Sequence, residues 1–351
     1  MATTDGRAGD GDDGGEWGTA ARVDAAVSAA VGVWLALPPR AAGRERSGSS
    51  SAWQQQQQQL LLLLRVHGMA ALRHRVPVGT GAKLEEAHER RSAPACFCCA
   101  LPTLLVDRDA PKTTRRPGVI TGYRGTGWSF KECTLSALQL NNETVNIHSH
   151  LLPAIYFAWQ AAVWGYDLYH HRSADPTLPY RCCSLLFLFG GIIVHLNSAV
   201  YHCYAAHSEV TAARLLRYDL AGIGFFILVC MINGVVHAFR CTPAWRAFYL
   251  VTQTALGLLT LATPLFPRQL PMLQPHSVVV KLYSAVVCSG LIPAAHWLIS
   301  VATPTEWTLI FPRVVGFFAW LGVGLGFYLT RFPESRWPGR FDVVSHPGLL
   351  R

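Results

Sequence analysis

The amino-acid sequence predicts an all-α protein, a polytopic transmembrane helix bundle with six visible spans behind a disordered N-terminal arm. Three observations predict it. Half of the 351 residues are hydrophobic and only 15% are charged, well under what soluble domains carry. The charges are also unevenly spread, with 15 Lys/Arg and 12 Asp/Glu up to residue 118 against 15 and 9 in the 233 residues that follow. The later part therefore contains long uncharged stretches, which a membrane core requires and a soluble surface lacks. A net charge of +9 would also suit nucleic acid, but the basic residues are scattered between apolar runs and no recognition module is visible. The charge is read as setting topology in a lipid bilayer, and no nucleic-acid partner is expected.

Residues 1–118 form the arm. It is rich in Gly and Asp, then in Gly, Ser and Arg, and carries the runs Gln54 to Gln59 and Leu60 to Leu64. Such a composition does not bury enough apolar surface to offset its ordering entropy. The apolar stretch Ala25 to Leu37 is half a span, ends at Pro38-Pro39, and follows acidic residues where a signal peptide needs basic ones. Of the ten cysteines, Cys96 and Cys99 have metal-finger spacing but no second such pair, so Cys96, Cys98 and Cys99 are read as free thiols in a loop.

About 20 apolar residues make one crossing. On that rule the spans run from Leu151 to Tyr169, Cys182 to His202, Leu216 to Phe239, Trp245 to Phe266, Ser277 to Ser300 and Leu309 to Thr330. The ten residues after Phe341 yield no seventh. Lys and Arg near the span ends number thirteen on the N-terminal side and five on the other, which predicts a cytoplasmic N-terminus, with six spans returning the C-terminus to the same side. The sequon Asn142-Glu143-Thr144 then faces the cytosol and stays without sugar. Asp167, Asp219, Arg246, Lys281 and Arg313 are charges within the spans that are expected near span ends, which argues against a channel or transporter. Gly190-Gly191 and the series Gly322, Gly324 and Gly326 are expected to allow close helix approach.

Counting crossings brings distant polar residues to one depth. Ser198 and His202 close the second span, Asp219 opens the third, and His346 follows the sixth after a cytoplasmic return. Ser198 and His202 are four apart and share a helix face. The residues alone leave two readings open: a metal-and-water site, or a polar helix cap beside a histidine solvated by headgroup water. His195 is two turns, roughly 10 Å, from His202 and is taken to be too deep to share an ion; His150 belongs to the segment before the first span.

These residues occur in a familiar order. Tyr123-Arg124 and Glu143-Thr144-x-Asn146-Ile147-x-Ser149-His150 are followed by Ser198-x-x-x-His202, His207-Ser208, Asp219-x-x-Gly222 and Ile292-Pro293-x-x-His296-Trp297. Phe332-Pro333-Glu334-x-x-x-Pro338-Gly339-x-Phe341-Asp342 then leads to Ser345-His346. Together, over 119–346, they resemble the progestin and adipoQ receptor family, which includes the adiponectin receptors and is related to the haemolysin III proteins.

The resemblance implies a seven-helix membrane protein with a cytoplasmic N-terminus and a zinc ion near the inner leaflet. Carried over, His202 and His346 are zinc ligands, Asp219 positions the attacking water, and Ser198 hydrogen-bonds within the site. The segment 347–351 departs from the family pattern: position 350 is leucine, which offers no lone pair, and Pro347 disfavours helical geometry at His346. With two ligands where a catalytic site uses three, the zinc is expected to be weakly or partially bound. Three functions follow from the resemblance: a signalling receptor for a lipid or hormone acting on cytoplasmic proteins, a zinc-dependent hydrolase of ceramide-like amides, or a non-catalytic scaffold of the secretory pathway. The expected location is the plasma membrane or the Golgi and other endomembranes.

Overall fold

Alternating apolar runs and polar turns fold into successive antiparallel helices. The computed structural model of the chain describes residues 102–111, 114–170 and 177–343. The arm up to residue 101, with Cys96, Cys98 and Cys99, lies outside the described residues, as do Lys112, His346 and the tail 347–351. The helices are α1 (Phe130–Ser136), α2 (Thr144–His170), α3 (Leu178–Tyr204), α4 (Glu209–Ala238), α5 (Pro243–Leu265), α6 (His276–Ser289), α7 (Leu291–Ser300) and α8 (Pro304–Thr330). No strand forms among the described residues; the β-type contact is an isolated bridge between Leu105 and Tyr123.

Among the described residues five helical segments are long and apolar enough to cross a membrane: α3, α4, α5, the continuous pair α6–α7 and α8. The expected first span corresponds to α2, which at 27 residues is long enough. It is less apolar than the others because Asn146, His148, Ser149, His150, Gln160 and Asp167 interrupt it. Helix limits also reach beyond the apolar cores. The Ser208 hydroxyl accepts the Thr211 backbone N–H and starts α4 at Glu209, seven residues before the expected boundary at Leu216. Asp219 therefore sits about 15 Å inside the helix instead of near its end.

Glycines set the closest contacts of the core. A Cβ at Gly190 would lie 2.4 Å from Val229 of α4, and one at Gly191 2.4 Å from the Phe157 ring of α2. At Gly224 it would meet the backbone of Thr260 and Leu261 at 2.7 Å, so α4 and α5 touch main chain to main chain. The other glycine expectation is corrected: at Gly322, Gly324 and Gly326 a Cβ would meet nothing within 4 Å. Helix α8 has no buried residue and is held near its ends, by Arg240–Glu306 at 3.2 Å and by Tyr328 Oη with His276 Nε2 at 2.7 Å.

Residues 102–111 and 114–118, read above as part of the arm, pack onto one end of the bundle. Leu105 and Tyr123 exchange backbone hydrogen bonds at 2.7 and 3.0 Å, and Leu104 is buried with Trp128, Cys133 and Ala206. The loop after α8 closes over this segment. Asp342 accepts the backbone N–H of Ile120 at 3.0 Å and of Thr121 at 2.8 Å, and Gly339 N–H donates to Gly118 O at 2.9 Å. Gly118 has φ +91° and its α-carbon faces the Glu334 backbone, so a side chain is excluded there on two grounds.

Gly224→Ala should destabilise the protein by about 1–3 kcal/mol through overpacking, although alanine favours helix. Gly324→Ala, facing open space, should leave stability unchanged or raise it by up to about 1 kcal/mol. Thermal unfolding in detergent distinguishes them, and equal melting temperatures would contradict the described packing.

Candidate functional site

The last two turns of α3 carry the candidate residues. Ser198 and His202 are both buried, 4% and 5% exposed, on the shared face their spacing requires. The Ser198 hydroxyl donates to the Asp219 carboxylate on α4, and Asp219 is close enough to His202 for their charges to interact. The structure thus brings Ser198, His202 and Asp219 together, while His346 is outside the described residues.

The His202 ring is oriented by a residue that sequence reasoning had quoted only as part of a motif. Its Nδ1 lies 2.9 Å from Glu143 Oε2, just before α2. An ionised carboxylate only accepts, so Nδ1 carries the shared proton, and in the neutral ring the Nε2 lone pair is left available. Asn146 Nδ2 donates to the same Glu143 oxygen at 2.7 Å. Burial alone would raise the Glu143 carboxyl; the hydrogen bond and charge of His202, then the Arg124 charge and the Asn146 bond, outweigh it and hold the group at about 2.

Arg124 fixes the end of α3. Its guanidinium, 4% exposed, donates to the carbonyls of Cys203 at 2.7 Å and of His202, and to Ser136 Oγ at 3.2 Å. These are helix-terminal carbonyls that lack an intrahelical partner, and a cation there also complements the helix dipole. A small cavity of about 40 Å³, large enough for a water, lies beside Arg124, Glu143, Tyr201, His202, Ala205 and Ala206.

His150 is nearer the site than the sequence suggested. Its ring lies parallel to that of His202 with centroids 6.0 Å apart, and its Nδ1 meets His195 Nδ1 at 3.2 Å. His150 thereby bridges the two-turn gap between His195 and His202. The other histidines have structural partners: His207 Nδ1 with Trp128 O at 2.8 Å, His237 with Ser184 at 3.0 Å, and His296 with Tyr249 at 3.0 Å. Asn142 of the sequon is 3% exposed.

Among the described residues no group of three or more His, Cys, Asp or Glu side chains is disposed to hold a metal. The donor chemistry present still suits zinc: an imidazole whose second nitrogen is bound to a carboxylate, the usual support of a metal-ligating histidine, beside a further carboxylate. The signal that could have found Glu143 and Arg124 is their charge in segments that border apolar spans, where an unpartnered charge is costly.

Comparison with known proteins gives the chain its relatives. The model of a family described as haemolysin-III related matches residues 138–347. Heptahelical transmembrane protein 1 of Arabidopsis thaliana is 29% identical over 261 residues, covering 71% of this chain and 73% of that protein. Progestin and adipoQ receptor family member 3 of Homo sapiens is 32% identical over 243 residues, 65% of this chain and 73% of the relative. Membrane progestin receptor gamma-B of Danio rerio is 26% identical over 264 residues, 67% and 73% of the two chains. With its ordered motifs, its membrane-length helices and these matches, the chain is a multi-pass membrane protein and belongs to the haemolysin-III-related family, which takes in the progestin and adipoQ receptors.

Proposed function

We propose that this protein is a membrane receptor that holds a zinc ion at the His202 end of its bundle, with that end and the N-terminus in the cytosol. The observation that carries the metal reading is the Glu143–His202 hydrogen bond, which directs the free Nε2 away from the carboxylate and makes it a competent ligand. The receptor reading draws on relatives named as progestin and adipoQ receptors, and it implies a lipid or hormone ligand and cytoplasmic signalling proteins as partners. The excess of Lys and Arg on the N-terminal side supports the orientation. The plasma membrane or an endomembrane such as the Golgi is the location proposed.

His202 and His346 would hold the ion; two histidines are fewer than the three protein ligands of a catalytic zinc site, so partial occupancy is expected. Zinc in such a site supplies Lewis acidity and brings the pKa of a water to about 7. The other roles fall to the chain itself. Glu143 keeps the proton on Nδ1 and fixes the ring plane, Arg124 locks the helix turn that carries the ring, and Ser198 steers the Asp219 carboxylate.

The Ser198–Asp219 contact favours a second reading, hydrolysis of a ceramide-like lipid amide. Asp219 is a carboxylate positioned by a hydroxyl and close to His202, suited to accept a proton from an attacking water.

Purified protein is expected to contain substoichiometric zinc, with His202→Ala removing it and Glu143→Gln weakening affinity about 10–100-fold in chelator competition. Full metal content in the His202→Ala variant would refute the assignment. Asp219→Asn should keep the zinc and lower ceramide turnover about 10²–10⁴-fold; unchanged turnover would remove Asp219 from the chemistry. Epitope tags at the two termini should both be reached by antibody only after the membrane is permeabilised, and exposure of either in intact cells or sealed vesicles would reverse the orientation.

A further inference from the structure

The end of the bundle remote from His202 carries a cleft that the site above does not use. It encloses about 410 Å³ and is lined by Pro179, Tyr180 and Cys183 at the start of α3, Val236 at the end of α4, and Arg246 and Leu250 at the start of α5. That volume lies in the range of small-molecule sites. Cys183 and His202 are nineteen residues apart on α3, so the cleft and the His202 site are separated by about 28 Å of helix.

The lining is divided chemically. Val236, Leu250 and Pro179 are aliphatic, while the guanidinium of Arg246 is the charged group. Arg246 has two long hydrogen bonds, from Nη1 to Tyr180 Oη and to Arg240 O, both 3.4 Å. Its basic neighbours are already neutralised: Arg181 pairs with Asp167 and Arg240 with Glu306. Among the described residues no carboxylate pairs with Arg246. Neither α3 nor α5 has an acidic residue in its first turn. Arg246 is therefore held by a hydroxyl and a carbonyl oxygen and by no described carboxylate, and its guanidinium stays available to an anion entering beside the starts of α3 and α5.

We propose that this cleft binds an anionic amphiphile, with an acyl chain against Val236 and Leu250 and a carboxylate or phosphate head on Arg246. A guanidinium matches either head group through paired N–H donors, and the aliphatic walls exclude water from the chain. The head sits at the helix ends, where the polar layer of a bilayer lies, and the tail points toward the hydrocarbon.

The test is native mass spectrometry of the full chain released from detergent, titrated with oleate and with 1-oleoyl lysophosphatidate, and with lysophosphatidylcholine and inorganic phosphate as comparisons. Oleate, lysophosphatidate or both should bind one per chain. Arg246→Gln should weaken that binding about tenfold, Leu250→Trp should weaken it by filling the cleft, and Arg240→Gln, at the same level but outside the lining, should not. Preference for oleate identifies a fatty acid as the source, and preference for lysophosphatidate a phospholipid. Equal binding by the Arg246→Gln variant, equal binding of lysophosphatidylcholine, or competition by phosphate alone at the same concentration would overturn the proposal. A second measurement needs no variant: whichever of oleate and lysophosphatidate binds more tightly should slow N-ethylmaleimide modification of Cys183 and leave the exposed Cys182 and Cys241 unchanged. Unprotected Cys183 would also overturn it.

Discussion

The last turn of α3 leaves carbonyl groups with no helical partner, and the buried guanidinium of Arg124 answers them. A charge this deeply buried is tolerable only with a full set of oxygen partners. Here those are the carbonyls of His202 and Cys203, the Ser136 hydroxyl and the nearby Glu143 charge. Much follows from that arrangement. It pins the segment before α1 against the bundle, sets the rotation of the turn that carries His202, and brings the Glu143 carboxylate within reach of the ring. The loop after α8 joins the same structure through Asp342, whose carboxylate holds the backbone of Ile120 and Thr121.

The transmembrane helices are held by a different kind of force. Between helices surrounded by lipid there is little hydrophobic drive, so contact depends on how closely backbones approach. Gly190, Gly191, Gly224 and Gly257 supply that approach along α2 to α5, with neighbours so near that a methyl group would collide. Helix α8 obeys the other half of the rule. It is apolar enough to sit in lipid with no fully buried residue, and polar contacts near its ends locate it.

What was legible in the sequence follows the range over which each signal acts. Apolar length is local, so the crossings are legible, although α2 and α4 begin seven residues before their apolar cores; i,i+4 spacing is local too, so Ser198 and His202 are expected on one face. Partners brought by tertiary packing were not legible. Leu104 and Leu105 look like a minor apolar fragment until Tyr123 and Trp128 cover them. Glu143 lies 59 residues from the histidine it orients. The glycines of α8 looked the same as those of α3, because spacing states that a helix can be approached closely and not whether a neighbour comes.

The two ends of α3 differ in how their charges are compensated, and the difference assigns them different dependence on ligands. Around His202 each buried charge already has a protein partner: Arg124 has carbonyls, Glu143 has His202 and Asn146, and Asp219 has Ser198. Its side chains are therefore pre-oriented, and a ligand arriving there gains geometry without paying for rearrangement. At the other end the positive ends of two helices and the Arg246 guanidinium add without an acidic residue in either first turn. Between them, the midsection of α3 packs so closely against Val229 and Phe157 that a methyl group at Gly190 or Gly191 would collide.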